Sequence, residues 1–438
     1  MSKFKSRNSV GIKLLIVGAL SLLLLIHALM IENIVHERNS RKDSAQNEVS
    51  DKWGNNQTIS GPILSIPFNK FIKNKEGNVV KYISYAHFLP EILNVESNLE
   101  SEKRYRGIYE LVVYNAKINI TGKFSFPDFT DLNVAESEII WKDAVLTFGI
   151  SDMKGIKNLV DIKINNKKTS VNPGVETRDV LISGINVKPL LNGTPQDLNF
   201  SIDLDLNGSK ELMFAPVGKE TNVALASDWS NPSFSGNFLP YSREISDDGF
   251  SAKWKVLNLN RNFPQKWIGS KFKIENSQFG VSLRVEVDEY QKTTRTTKYA
   301  IMFIGLTFLT FFMIELLGGK SVHPIQYLLI GFGLLIFYTL LLSFTEHISF
   351  EGSYLIASIA VIAMITLYTR SVFKENKFTL LILGILILLY GYLYIVLQLQ
   401  DYALLMGSLG LFAILALLMY LTRNIDWFSV MKKTDLLE

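Results

Sequence analysis

The sequence predicts a membrane protein of mixed class. It should have six transmembrane α-helices, one N-terminal and five in a C-terminal bundle, with a large antiparallel β-sandwich-type domain between helices 1 and 2. Three observations predict this. Long apolar runs lie at residues 10–31, 299–317, 325–344, 354–369, 378–397 and 402–422, each close to the ~20 residues a helix needs to cross a bilayer core. No such run lies in residues 33–298. Within that stretch the apolar period changes to two, which is the mark of half-buried strands.

The first run follows the basic residues Lys3, Lys5 and Arg7 and includes Lys13. A cleaved signal peptide would end on small residues at an Ala-x-Ala-like site. Here the chain reads His27-Ala-Leu-Met-Ile-Glu32, so the run predicts an uncleaved signal anchor. Residues 37–52 are polar and helix-friendly, and extend that span as a stalk. The expected organisation is a cytoplasmic N-terminus and first span (1–32), a stalk and β-rich domain (33–298), a five-helix bundle (299–422) and a tail (423–438).

The strand signal is clearest where Tyr114, Ala116, Ile118, Ile120, Phe124 and Phe126 alternate with Asn115, Lys117, Asn119, Thr121 and Ser125. Such alternation gives a strand one dry face and one wet face. It returns over 198–206, where Asn207-Gly208 reads as a turn before Leu212 and Phe214, and again over 250–256 and 279–287. Pro127-Asp128, Asn172-Pro173-Gly174, Asn192-Gly193 and Asp247-Asp248-Gly249 punctuate the domain. Its length allows one sandwich or two.

Orientation follows from basic residues in the short loops. Lys320, Arg370, Lys374, Lys377 and Arg423 mark one side. The alternate loops carry Glu346, Glu351 and Asp401 and no Lys or Arg. With six spans, both termini are expected in the cytoplasm and the large domain outside, which in a cell with two membranes is the periplasm.

The 438 residues hold no cysteine, which excludes disulfide scaffolds, thiol catalysis and thiolate metal sites. A formal charge of +4 with no basic stripe argues against nucleic acid. No metalloprotease, phosphate-loop or nucleophile-elbow motif is present among the five histidines and the glycines.

The sequence therefore names no catalytic, cofactor-binding or metal-ligating residue, and no cofactor is expected. The residues to weigh are Glu346, His347, Glu351 and Asp401 on the outer loops, where carboxylates and an imidazole could hold a cation or relay protons. The plainer expectation is that they solvate short loops. Glu315 falls near the inner end of its span, within reach of Lys320 or His323. His323-Pro-Ile-Gln-Tyr327 reads as a tight turn with proline in the first turn of a helix. Ala403-x-x-x-Gly407, Gly384, Gly391 and the 353–357 segment read as packing faces, as does Gly331-Phe-Gly333. Few polar residues lie deep in any span, which argues against a transporter. Trp229, Phe234, Phe238, Tyr241 and Trp267 are either contact residues or β-domain core, with core the more usual fate of such side chains.

Several blocks resemble the CreD family of bacterial inner-membrane, cell-envelope-integrity proteins. They are Lys52-Trp-Gly, Gly61-Pro-Ile-Leu-Ser-Ile-Pro67, Gly149-Ile-Ser-Asp-Met-Lys-Gly155, Pro216-Val-Gly-Lys-Glu-Thr221, Arg243-Glu-Ile-Ser-Asp-Asp-Gly249 and Leu259-Asn-Arg-Asn-Phe-Pro264. The membrane part adds His323-Pro-Ile-Gln-Tyr327, Glu346-His347, Tyr390-Gly-Tyr-Leu-Tyr394, Asp401-Tyr-Ala-Leu-Leu405 and Tyr420-Leu-Thr-Arg423. The blocks run in order along nearly the whole chain. Gln400 and Thr345 depart from the family, which commonly has an acidic residue and a serine there.

The resemblance implies a place in envelope integrity, colicin tolerance and the response to wall-active antibiotics, and supplies no catalytic residues. The expected function is a non-enzymatic inner-membrane protein whose periplasmic β domain binds an envelope component, either a protein or a cell-wall component. The alternatives are a membrane enzyme or lipid-handling protein using the outer acidic cluster, or a transporter. The bilayer is the expected partner, and the oligomeric state is left open.

Overall fold

The computed structural model of the chain describes residues 10–74, 78–283, 289–318, 322–399 and 402–423. They fall into a β unit, Asp43–Glu286, and a helical unit made of Met1–Lys42 with Val287–Glu438.

The β unit has seventeen strands among the described residues. In chain order they begin β1 (Gln57–Lys73), β2 (Val79–Phe88), β3 (Ile92–Arg106), β4 (Tyr109–Phe124), β5 (Val145–Ile150) and β6 (Asp161–Ile164). There follow β7 (Lys167–Lys168), β8 (Asn172–Pro173), β9 (Gly184–Val187), β10 (Leu198–Ser209), β11 (Glu211–Phe214) and β12 (Glu220–Ser227). The last are β13 (Pro232–Gly236), β14 (Ser242–Ser246), β15 (Gly249–Leu257), β16 (Lys266–Ile268) and β17 (Phe279–Leu283).

They form two sheets. One runs β13-β17-β11-β1-β5-β9-β8, with β2 added to β1 and β16 to β2; the other runs β14-β15-β12-β3-β4-β10-β6-β7. The inner faces meet in one continuous hydrophobic core. Phe148 of β5 touches Phe200 of β10 across it, with centroids 6.4 Å apart. Trp254 of β15 meets Phe279 of β17 and Phe234 of β13 at 5.7 Å each. The described residues therefore make one sandwich rather than two.

Two points refine the expected, mostly antiparallel sandwich. β1 pairs with β11 in parallel, and β3 with β12 in parallel. Parallel neighbours need long crossovers, and here the intervening chain builds other strands of both sheets before returning. The second point is the Asn207-Gly208 turn. β10 runs straight through both residues, which pair with Asn115 and Tyr114 of β4. The chain instead bends at Lys210, whose φ is 58°, and passes from the second sheet into β11 of the first. Gly208 is needed for room: a Cβ there would lie 2.4 Å from the Tyr114 hydroxyl, which donates to the Glu211 carbonyl at 2.6 Å.

Two of the sequence blocks knit the start of the β unit. The Asp152 carboxylate accepts from the backbone and side-chain N–H of Asn55, both at 3.0 Å. Gln57 donates to the carbonyls of Asp152 and Asn207, both at 2.9 Å. Trp53 donates its indole N–H to the Tyr114 carbonyl, and Arg104 stacks over its ring at 3.8 Å.

The helices are α1 (Val10–Trp53), α2 (Glu289–Lys298), α3 (Ala300–Gly318), α4 (Pro324–Thr345), α5 (Phe350–Phe373), α6 (Asn376–Gln398) and α7 (Ala403–Thr422). α1 continues from the apolar run through the polar stretch as one helix. Its 44 residues span about 66 Å at 1.5 Å per residue, roughly twice the bilayer core.

Among the described residues five helices are long and apolar enough to cross a membrane: Leu15–Trp53, Lys292–Glu315, Pro324–Thr345, Phe350–Phe373 and Asn376–Gln398. α7 adds a shorter apolar stretch, Leu405–Ala416.

Packing glycines are partly those expected. Gly331 receives Leu24 of α1, and Gly333 faces Met364 of α5. In α5, Ser353 and Ala357 are fully buried. Gly384 and Gly391 correct the expectation: a Cβ at either would meet no atom within 4 Å. α6 approaches α7 instead through Tyr392, which lies over Gly410 and donates its hydroxyl to the Met406 carbonyl.

Candidate functional site

Glu346 and Glu351 form two separate ion pairs. Glu346 closes α4 and lies 3.3 Å from Arg38 of α1. Glu351 sits in the first turn of α5, where the helix dipole favours a negative charge. It accepts from Lys292 of α2 at 2.9 Å, and that ammonium also stands 5.1 Å from the Phe350 ring centroid. His347 between them is exposed. Asp401 lies outside the described residues. Among the described residues no three His, Asp or Glu side chains gather as metal ligands.

Glu315 and His323 shape the turn between α3 and α4. Glu315 accepts the Val322 N–H at 3.2 Å and the Tyr327 hydroxyl at 3.3 Å. Lys320, one partner expected for it, lies outside the described residues. His323 caps α4: its Nδ1 accepts the Ile325 N–H at 3.3 Å, while Gln326 returns an acceptor to the His323 N–H at 2.9 Å. With Pro324 at the first helical position, this is a reciprocal cap.

Charge-based reading of the spans misses the tyrosines. Tyr354 of α5 donates to the Tyr390 carbonyl of α6 at 2.7 Å. The hydroxyls of Tyr338 and Tyr390 are buried with no hydrogen-bond partner among the described residues.

Of the aromatic candidates, Trp229 and Trp267 are core, Phe234 and Phe238 pack against it, and Tyr241 is exposed.

The outer face of the second sheet carries an open cleft of about 620 Å³. Its walls come from alternate residues whose neighbours point into the core. One row of the register sets Lys253, Ala224, Glu96, Asn119, Asp203 and Asp161 side by side. The next sets Ser251, Ala226, Asn98, Lys117 and Asp205 beside one another. Ala224 and Ala226 end at Cβ, so they form the floor between taller polar walls.

Asn119 donates to Asp203 at 2.7 Å, and both Asn115 and Asn158 donate to Asp205 at 2.5 Å. Lys117 donates to Glu100 at 2.5 Å, a bond that raises the lysine's pKa. Among the described residues the side chains of Glu96 and Lys253 carry no hydrogen bond or ion pair, and both line the cleft. Such a face offers donors, acceptors and both charge signs on a shallow, rigid strand surface.

A second polar constellation lies in the first sheet. His87 of β2 is fully buried. Its Nδ1 is 2.9 Å from the Ser65 hydroxyl on β1, and its Nε2 is 3.2 Å from the Asp179 carboxylate. These are the residue types of a nucleophilic triad. However, Ser65 is 3% exposed in the middle of a paired strand, so no substrate reaches it. The relay clamps the segment carrying Asp179 onto the sheet, beside the Trp267 ring. Burial pushes the His87 pKa below its ordinary value, with Asp179 opposing in part. No local motif marks this relay, since its partners lie 22 and 92 residues from His87.

Comparison with known proteins agrees with the layout. A family profile described as "Inner membrane protein CreD" matches residues 9–428. The curated Inner membrane protein CreD of Escherichia coli (strain K12) is 33% identical over 415 residues, covering 93% of this chain and 91% of that protein. A profile match over almost every residue, with a relative at that identity over both units, is beyond a local motif likeness: this chain belongs to the CreD family of inner membrane proteins.

Proposed function

We propose that the chain is a six-span, non-enzymatic inner-membrane protein with both termini in the cytoplasm and its β unit in the periplasm. In this reading it supports envelope integrity and the envelope stress or antibiotic response by binding an envelope component, a periplasmic protein or a cell-wall component. Lys374, Lys377 and Arg370 on one set of loops, and Glu346 and Glu351 on the other, support the orientation. α7 supplies the sixth span.

The observation that carries the binding reading is the cleft on the second sheet. Its Ala224–Ala226 floor, its mixed charges and its unpaired Glu96 and Lys253 suit a hydrated polymer bearing hydroxyl, amide and charged groups. Glu346, Glu351, Glu315 and His323 then serve to fix helix ends at the membrane surface, and His347 and Asp401 solvate the outer loops.

The test is envelope permeability to a hydrophobic dye in a deletion strain. The strain is complemented by the full chain, by residues 1–298, or by the full chain carrying Ala226→Trp. Ala226 faces outward, so tryptophan fills the cleft without entering the core. Rescue by residues 1–298 and failure by Ala226→Trp at equal expression support the reading. Full rescue by Ala226→Trp rejects the cleft, and rescue only by chains with the whole bundle moves function to the helices. Co-sedimentation of the purified full chain with cell-wall sacculi, lost in Ala226→Trp, separates a wall ligand from a protein one.

A further inference from the structure

We propose that the groove between α3, α6 and α7 holds an acyl chain of an anionic phospholipid, with Lys377 taking its phosphate. The groove encloses about 940 Å³, within the range of formed ligand sites. Met302 and Ile314 of α3 and Gly384, Leu388 and Tyr392 of α6 line it, and α7 closes it with Gly410, Ala413 and Ile414. The Thr310 hydroxyl in its wall donates back to the Leu306 carbonyl at 2.8 Å, so this polar group is satisfied within its own helix.

The groove stays open for a reason visible in the packing. Tyr392 seats on Gly410 and makes the contact between α6 and α7. Two turns along α6, Gly384 presents no side chain, and a Cβ there would meet nothing within 4 Å. A bulky residue against glycine at one level and a bare glycine at another leave a channel along α6.

Length and charge then select the occupant. From Lys377 to Tyr392 is 15 residues of α6, about 22 Å at 1.5 Å per residue, against about 15 Å for half a bilayer core. A chain entering at the Lys377 end is therefore covered along its whole length. At that end the Lys377 ammonium has a long 3.8 Å contact to Glu375 and stands 4.8 Å from the Phe378 ring centroid. Arg370 lies in the last turn of α5 and Lys374 caps its C-terminus, just before Lys377 in the chain. An ammonium at the mouth of an apolar channel, with further positive charge behind it, matches a phosphate attached to an acyl chain, and an anionic headgroup over a zwitterionic one.

The experiment uses the full chain, purified in a non-ionic detergent and stripped of lipid. Native mass spectrometry follows titration with phosphatidylglycerol or with phosphatidylcholine of the same chains. The expected result is one phosphatidylglycerol adduct, at least tenfold tighter than phosphatidylcholine. Lys377→Gln should remove that preference while leaving the weaker adduct. Gly384→Leu should abolish both, because leucine fills the channel from a position with space for it. Leucine also favours a helix over glycine, so retained thermal stability in that variant excludes misfolding as the cause.

Three results overturn the proposal: equal binding of the two lipids in the unmodified chain, adducts unchanged by Gly384→Leu, or a dimer that carries no lipid. A thermal shift produced equally by inorganic phosphate would also overturn it, since the groove would then be irrelevant.

Discussion

Acidification should loosen the β unit through His87. The ring is fully buried in β2, with Ser65 at 2.9 Å on one nitrogen, Asp179 at 3.2 Å on the other and Trp267 alongside. Tyr85, Glu176, Asp179 and Asp143 are titratable groups near this edge of the sheet, and Lys266 of β16 pairs beside Phe88. Burial lowers the folded-state pKa below the ordinary 6.5, and the Asp179 bond offsets only part of that.

The unfolded chain therefore takes up a proton near 6.5, while the folded chain takes it up only at lower pH. Between those two points the unfolded state holds more protons, so stability falls as pH falls. The slope is at most about 1.4 kcal/mol per pH unit. It vanishes above 6.5 and again below the folded-state pKa.

Tryptophan fluorescence during denaturation of the full chain, from pH 8 to 5, reads this directly, since Trp267 packs on the ring. His87→Phe should be less stable than the unmodified chain at pH 8 by about 1–3 kcal/mol, because it leaves Ser65 and Asp179 unpaired. It should also lose the dependence below 6.5. Identical slopes in both proteins would refute the reasoning. Stability that rises on acidification would show that the Asp179 ion pair outweighs burial.

Three further outcomes follow from packing. Gly208→Ala places a Cβ 2.4 Å from the Tyr114 hydroxyl, and overpacking of this kind should lower stability by about 1–3 kcal/mol in denaturant titration. Trp254→Ala removes a side chain that is 1% exposed between the two sheets, and should cost about 3–5 kcal/mol. Arg261 donates to the carbonyls of Phe263, Pro264 and Val217 and stacks on Phe263 at 4.0 Å. Lysine cannot reproduce that planar fork, so Arg261→Lys should destabilise by about 1–3 kcal/mol, with the same titration as the check.

Most strands legible in the sequence have one wet face; β17, also read from its alternation, is buried along most of Phe279–Leu283. β4, β10 and β15 alternate because their outer residues line the open cleft, and solvent imposes the period of two. β1 gives no such signal, because residues 59–68 are all buried and both faces select apolar or small side chains. The Asn207-Gly208 pair misleads for a related reason. The dipeptide that usually supplies positive φ is used here to make room for the Tyr114 ring, and Lys210 takes the left-handed position instead. The parallel pairings of β1 with β11 and β3 with β12 leave no local trace, since each depends on where a distant segment returns.

The sites divide along the same line. Glu346 and Glu351 stand out in the sequence because their loops carry acid and no base. That contrast vanishes in three dimensions, where Arg38 comes from α1 and Lys292 from α2. A charge within a loop is visible along the chain, but its partner on another helix is not. The cleft is hidden for the opposite reason. Its floor is two alanines of β12 and its walls come from five other strands, one or two outward residues from each, so no segment carries enough of it to read. Lys377 combines both effects. In the sequence it counts only toward orientation, and it gains a binding role only when Gly384 and Gly410, on different helices, leave a channel beneath it. The Gly384→Leu variant therefore tests the lipid site on structural grounds alone, because nothing in the sequence around residue 384 distinguishes this glycine from one used for close packing.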